Sequence, residues 1–99
     1  MIVIVNIGKS LKAGVSPMTA TERAWPLSVK RCQTCTYVVA VDKGLPVECF
    51  RRISAFPDLI DPGRVAFKLA LCTPAEQTIV RAAIRGISLK GIQRGKYIP

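Results

Sequence analysis

Residues 35–52 read Cys-Thr-Tyr-Val-Val-Ala-Val-Asp, then Lys43-Gly44, then Leu-Pro-Val-Glu-Cys-Phe-Arg-Arg. Two runs rich in β-branched and aromatic residues, separated by a glycine-bearing turn, predict a β-hairpin. A two-stranded hairpin is only marginally stable in water, so the remaining chain must extend or cover it. Two registers are open. If Lys43-Gly44 are the central turn residues, Val38 faces Cys49 and Cys35 falls on the opposite sheet face. If Asp42-Lys43 form a type I turn with Gly44 in a left-handed bulge, Tyr37 faces Cys49 and Cys35 shares its face. The bulge is preferred here, because lysine tolerates positive φ poorly. Pro46 has no N–H to give to a ladder, which makes the return strand an expected edge, at least near its start.

The flanking segments supply further elements. Ile2 to Val5 is an unbroken β-branched run and reads as a short buried strand. Gly8-Lys9-Ser10 reads as a strand-end turn, followed by a loop through Gly14, Ser16 and Pro17. Thr19-Ala-Thr-Glu22 fits a capping box that opens a short helix. That helix is expected to end near Trp25, because Pro26 disfavours helical geometry in the residue before it. Leu27 to Arg31 is ambiguous, with room for one more turn. Phe56 to Gly63 reads as a loop with Asp-Pro-Gly as its turn signal. Arg64 to Leu71 alternates, with Val65, Phe67, Leu69 and Leu71 on the apolar face of a half-buried strand. Thr73-Pro74-Ala75-Glu76 is the clearest helix start, and Ile79, Val80, Ala83 and Ile84 form the expected inward stripe. Gly86 ends that helix. Ile87 to Ile92 fits a final strand, with residues 94–99 as a tail. The order predicts one α+β domain over residues 1–99, either a mixed sheet or a small barrel built on the central hairpin with two flanking helices.

Composition narrows the function. Fifteen Lys and Arg against six Asp and Glu give a net charge of +9 and a pI near 10.0. Such an excess favours anionic partners, either nucleic acid or an acidic protein surface. Without histidine, no Ser-His or Cys-His pair can form. Asp58 and Asp61 sit in a Pro-flanked loop and read as turn formers. No catalytic residue, cofactor or bound metal is therefore expected, and the chain is not expected to be an enzyme. The opening MIVIVN lacks the basic leader of a secretory signal, and no apolar run reaches the ~20 residues needed to span a bilayer. A soluble cytoplasmic protein with no membrane partner and reduced thiols is expected.

Two short motifs suggest chemistry and fall short of it. Gly8-Lys9-Ser10 matches the end of a phosphate-binding loop, but Val3 stands where the first glycine is required and a helix is not expected directly after. Cys32-Gln-Thr-Cys35 is half of a zinc knuckle. Completing it would take Cys49 and Cys72, which are widely spaced, and only the bulged register puts Cys35 and Cys49 on one side. Small buried thiols are the preferred reading for all four. The CxxC also leads into a strand, whereas a low-pKa redox thiol gains from a helix N-terminus.

The basic residues are what remain. Lys30, Arg31, Arg51, Arg52, Arg64, Arg81, Arg85, Lys90, Arg94 and Lys96 recur at element ends and exposed positions, where together they could track phosphates. Trp25, Tyr37 or Tyr97 beside such a stripe could stack a base, although core burial is the expected fate of Trp25.

One resemblance spans roughly Ile4 to the end. Its landmarks are Ile-Gly-Lys-Ser, then Thr-Glu-Arg-Ala-Trp25 with Ser28 and Arg31, then Tyr37-Val-Val-Ala-Val41, Gly44 and Phe50, then Arg64 and Phe67, closing on a Gly-and-Tyr tail. This layout resembles small PUA-like domains of the ASCH and EVE type, some of which lie beside restriction systems in bacteria and phages. The resemblance implies a compact mixed-sheet barrel and a nucleic-acid role, with Trp25, Ser28 and Arg31 as pocket residues and Arg64 near the rim. The cysteines and the basic tail depart from the pattern. A non-catalytic nucleic-acid-binding module, bound to RNA or DNA by a basic face, is the resulting expectation. The alternative is a small phage or prophage inhibitor or adaptor docked on an acidic host protein.

Overall fold

The computed structural model describes residues 1–92 and 95–99. It is an α+β fold in which a five-stranded mixed sheet is covered on both faces. In chain order the elements are β1 (Ile2–Asn6), α1 (Gly8–Lys12), α2 (Pro17–Thr21), α3 (Val29–Cys32), β2 (Tyr37–Asp42), β3 (Leu45–Pro57), β4 (Val65–Leu71), α4 (Pro74–Ile84) and β5 (Lys96–Ile98). The sheet order is β4-β3-β2-β1-β5. β1 runs parallel to β2, and every other pairing is antiparallel. The sheet is open, so of the two forms expected the mixed sheet is the one adopted. The hairpin β2–β3 does lie at its centre.

β1 and β2 are apolar without alternation because both sheet faces are buried there. Val3, Val5, Val38, Ala40, Phe50 and Phe67 pack on one side with Cys32, Cys35 and side chains from α1 to α3. Ile2, Ile4, Val39 and Val41 pack on the other with Val80 and Ile84 of α4, plus Leu89, Ile92 and Ile98. Each Val, Ile, Leu or Phe side chain among them that is taken fully out of water stabilises the fold by about 1.5–3 kcal/mol.

The hairpin takes the first of the two expected turns, with Lys43-Gly44 central, but not the pairing that went with it. Lys43 (φ 52°) and Gly44 (φ 75°) are both left-handed, as a two-residue type I′ turn requires, so the lysine accepts the conformation expected to exclude it. Asp42 faces Leu45 and Val41 faces Pro46. Val47 then bulges out, and Ala40 faces Glu48 and Val39 faces Cys49. The bulge puts Cys49 in the α4-side core while Cys35 lies in the opposite one. β3 is also longer than the hairpin predicted. A second irregularity between Arg52 and Ser54 lets it run through Phe56 and Pro57, which were expected in a loop. It is an interior strand, but β4 pairs with it only from Phe50 onward, so its Pro46 end is open as the proline implied.

Helix boundaries shift for local reasons. Asn6 Oδ1 accepts from Gly8 N–H at 2.9 Å and starts α1 directly after β1, where a turn was expected. α2 begins three residues before the predicted box, because Ser16 caps it and Pro17 takes the first turn. Ser28 caps the extra turn α3. α4 carries the predicted Thr73–Glu76 box, with both reciprocal bonds made. Its inward stripe is narrower than expected: Val80 and Ile84 are buried, whereas Ile79 is 58% exposed and Ala83 is exposed. Likewise Leu71 on β4 is exposed, at the sheet edge, and Ala66 is buried. Ile87 to Ile92 is not a strand. Its Leu89 and Ile92 fill the core beside α4, and the closing strand comes later, from the expected tail.

The β4 edge is partly closed by the chain before it. Trp25 N–H donates to Val65 O (3.1 Å), Val65 N–H to Trp25 O (2.8 Å), and Phe67 N–H to Glu22 O (2.6 Å). Covering an edge in this way blocks strand addition from another chain.

Candidate functional site

Three of the six acids are tied to two arginines. Arg23 pairs with Asp58 at 3.1 Å and Asp61 at 2.7 Å, and Arg51 pairs with Glu76 at 3.2 Å. Among the described residues these are the only ion pairs, so most of the described cations have no carboxylate partner.

The expected basic stripe is divided by the fold. Lys30 and Arg31 sit on α3, which packs on one sheet face, while Arg81 lies on α4, on the other, and Arg85 caps its C-terminus. Several of these side chains also have structural partners. The Arg31 guanidinium lies 3.8 Å over the Tyr97 ring. Arg52 Nε donates to Cys35 O, and Arg64 Nη1 donates to Ala24 O at 3.0 Å. Lys96 is exposed on the edge strand β5. Arg94 lies outside the described residues.

The pocket implied by the resemblance is not assembled as expected. Ser28 Oγ accepts from Arg31 N–H at 3.2 Å, and Ser28 N–H donates to the Tyr97 hydroxyl at 3.2 Å. Ser28, Arg31 and Tyr97 thus meet. Trp25, however, is half-buried, and its indole N–H donates to Thr21 O at 2.9 Å. Tyr37 packs against the α4-side core.

What the fold does gather is a different set of cations. β1 and β2 are parallel, so their carboxyl ends, Asn6 and Asp42, share one end of the sheet. Crevices at the carboxyl ends of parallel strands are the usual ligand sites of open sheets. Here α1 leaves β1 carrying Lys9 and Lys12, and the hairpin turn presents Lys43. These three lysines line an open cleft of about 550 Å³ in which Asp42 is the single acid. Lys90 reaches the same turn, packing so closely on Gly44 that a Cβ there would sit 2.6 Å from its Cγ. Glycine suits that position because it takes the left-handed φ without strain and leaves room for the lysine. A second open cleft of about 530 Å³ adjoins through Lys9 and is lined by Asn6, Ser10, Arg23 and Trp25.

Lys9, Lys12 and Lys43 were missed in the sequence because α1 and the hairpin turn are far apart in the chain, and only the parallel pairing of β1 with β2 brings them together. A signal was present. The unbroken Ile2–Val5 run indicates a strand covered on both faces, and Gly8-Lys9-Ser10 follows it.

The cysteines form two separate pairs. Cys32 and Cys35 lie in one core, Cys49 and Cys72 on the opposite side of the sheet, so one ion cannot take all four. Among the described residues no three metal-ligating side chains converge. None of their helices is long and apolar enough to cross a membrane. Comparison with protein-family models, curated proteins and solved structures returns no match.

Proposed function

We propose that this chain is a non-catalytic nucleic-acid-binding module that holds phosphates at the lysine-lined end of its sheet. The observation that carries the reading is the cleft bounded by Lys9, Lys12 and Lys43, with Lys90 at the same turn and one acid among them. Ammonium groups on flexible stems suit phosphates as point charges, and they confer affinity without choice of sequence. The adjoining cleft offers the half-buried Trp25 as a surface on which an unpaired base could stack. A cytoplasmic site of action belongs to the same proposal. The PUA-like resemblance supports a nucleic-acid role in the same general sense.

Binding to labelled single- and double-stranded DNA and RNA, at low and at moderate salt, tests it. The expected result is binding at low salt that weakens steeply as salt rises, because each phosphate contact releases counterions. No binding at low salt, or binding indifferent to salt, overturns it.

One observation favours the second reading, an adaptor or inhibitor docked on an acidic host protein. Leu59 and Ile60 are 92% and 73% exposed on a turn fixed by Asp58, and an exposed apolar tip on an otherwise cationic chain suits a protein partner. A pull-down with and without nuclease separates the two, since partners that survive nuclease belong to this second reading.

A further inference from the structure

Independently of any nucleic-acid role, we propose that Cys49 and Cys72 are a latent disulfide, closed by a disulfide oxidant such as oxidised glutathione. Cys72 directly follows β4, whose Leu71 faces Phe50, so the ladder carried one step further sets Cys72 opposite Cys49. Cys72 N–H donates to Cys49 O at 3.2 Å, which fixes that step. Opposed residues at a hydrogen-bonded position of an antiparallel pair lie about 5.5 Å apart at Cα, inside the range that a disulfide spans. The two side chains are close enough that each shifts the titration of the other.

Access differs between the two. Cys49 is half-buried and lines a small cleft of about 120 Å³ between β3 and α4, whereas Cys72 is 6% exposed. Cys49 is therefore the first thiol to attack the oxidant. Its thiolate displaces one glutathione thiolate from the oxidant, giving a mixed disulfide, and the released glutathione takes up the proton. The Cys72 thiolate then attacks Cys49 Sγ and expels the second glutathione. Two protein thiols are oxidised, and one glutathione disulfide is reduced to two thiols. Burial pushes both protein thiols up, so thiolate is scarce at neutral pH and the reaction is slow there. Cys32 and Cys35 are fully buried, and Cys35 Sγ donates to Arg31 O at 3.5 Å. They are shielded from the same oxidant.

The bond would tie the open start of β3 to the residue before the α4 cap, Thr73. The test is intact mass and a non-reducing peptide map of the whole chain after oxidised glutathione at about pH 8.5, near the ordinary thiol pKa. The expected product loses about 2 Da, as loss of two thiol hydrogens requires, and its map links Cys49 to Cys72. It melts on the order of 10 °C higher than the reduced chain, since the link constrains the unfolded state. Cys32→Ser with Cys35→Ser leaves the link intact, and Cys72→Ser stops the reaction at a glutathione adduct on Cys49. A link joining Cys32 to Cys35, an unresolved adduct on the unsubstituted chain, or no change in mass each overturns the proposal. All three readouts from the unsubstituted chain stand even if a variant fails to fold.

Discussion

The corner around Asp58 and the sheet end around Lys43 both cluster charge, and they do so to different effect. At the corner, the Asp58 side chain is 2% exposed and accepts from Arg23, from the N–H of Ala24 at 2.9 Å, and from those of Ile60 and Asp61 at 2.8 and 3.1 Å. Every lone pair has a donor, and the bonds join β4's preceding loop to the segment that caps the β4 edge. At the sheet end, four lysines from three segments share one acid and make no ion pair. Buried charge that is fully bonded fixes structure, because losing a partner strands the rest. Exposed charge without a partner contributes little to the fold and remains free to meet an external anion. The comparison teaches where to look for function in a cationic chain: not where basic residues are most numerous in sequence, but where the fold leaves them uncompensated.

The largest effect that would break this contrast is at the corner. Asp58→Asn replaces an acceptor with an amide that must oppose N–H groups already in place. Its melting temperature, followed by circular dichroism, is expected to fall on the order of 10 °C. An unchanged melt would mean that the corner is not structural.

Acid sharpens the same point. The Arg23 guanidinium, helped by Ile60 N–H, holds the Asp58 carboxyl well below the usual carboxylate range, and Thr73 N–H, with Arg51 nearby, lowers that of Glu76. A carboxyl depressed in the folded state stabilises above its unfolded pKa and ceases to as pH falls through the folded value. Denaturant melts should therefore be level above about pH 5 and lose stability below about pH 4, near the unfolded carboxyl pKa. The Asp58→Asn protein should lose less over that range, and an equal loss would assign the acid response elsewhere.

A smaller effect attends the α4 box. Thr73→Ala removes the side-chain acceptor for Glu76 N–H (3.2 Å), and should cost about 1 kcal/mol in a denaturant titration. Smallest is the effect of replacing the four lysines. Lys9, Lys12, Lys43 and Lys90 changed together to Gln should leave each position within about 0.5 kcal/mol, with a slight gain where like charges are relieved. A large loss would show these lysines to be part of the fold after all.

The parts of the fold that could be read from sequence are those with local causes. Thr73-Pro74 and Glu76 specify a helix start within four residues, and the hairpin's two runs flank their own turn. The hairpin register was not legible, because the Val47 bulge shifts the β2–β3 pairing and no turn residue announces it. β5 escaped because Lys96–Ile98 is too short to show a pattern, and its pairing with Ile2–Ile4 spans the whole chain. Ile79 shows the limit of periodicity. A helical stripe marks which side chains can face inward, but Val80 and Ile84 pack in the core with Leu89 and Ile92 while Ile79 stays exposed. The lysine cleft was illegible for a related reason, since net charge counts cations without locating them.

The most direct test of the account is the slope of log binding constant against log salt concentration, for the unsubstituted chain and the four-lysine variant with the same oligonucleotide. If those lysines meet phosphates, the slope should flatten by roughly three to four units on a duplex, about 0.9 for each contact removed. Equal slopes for the two proteins, with equal affinities, would contradict it.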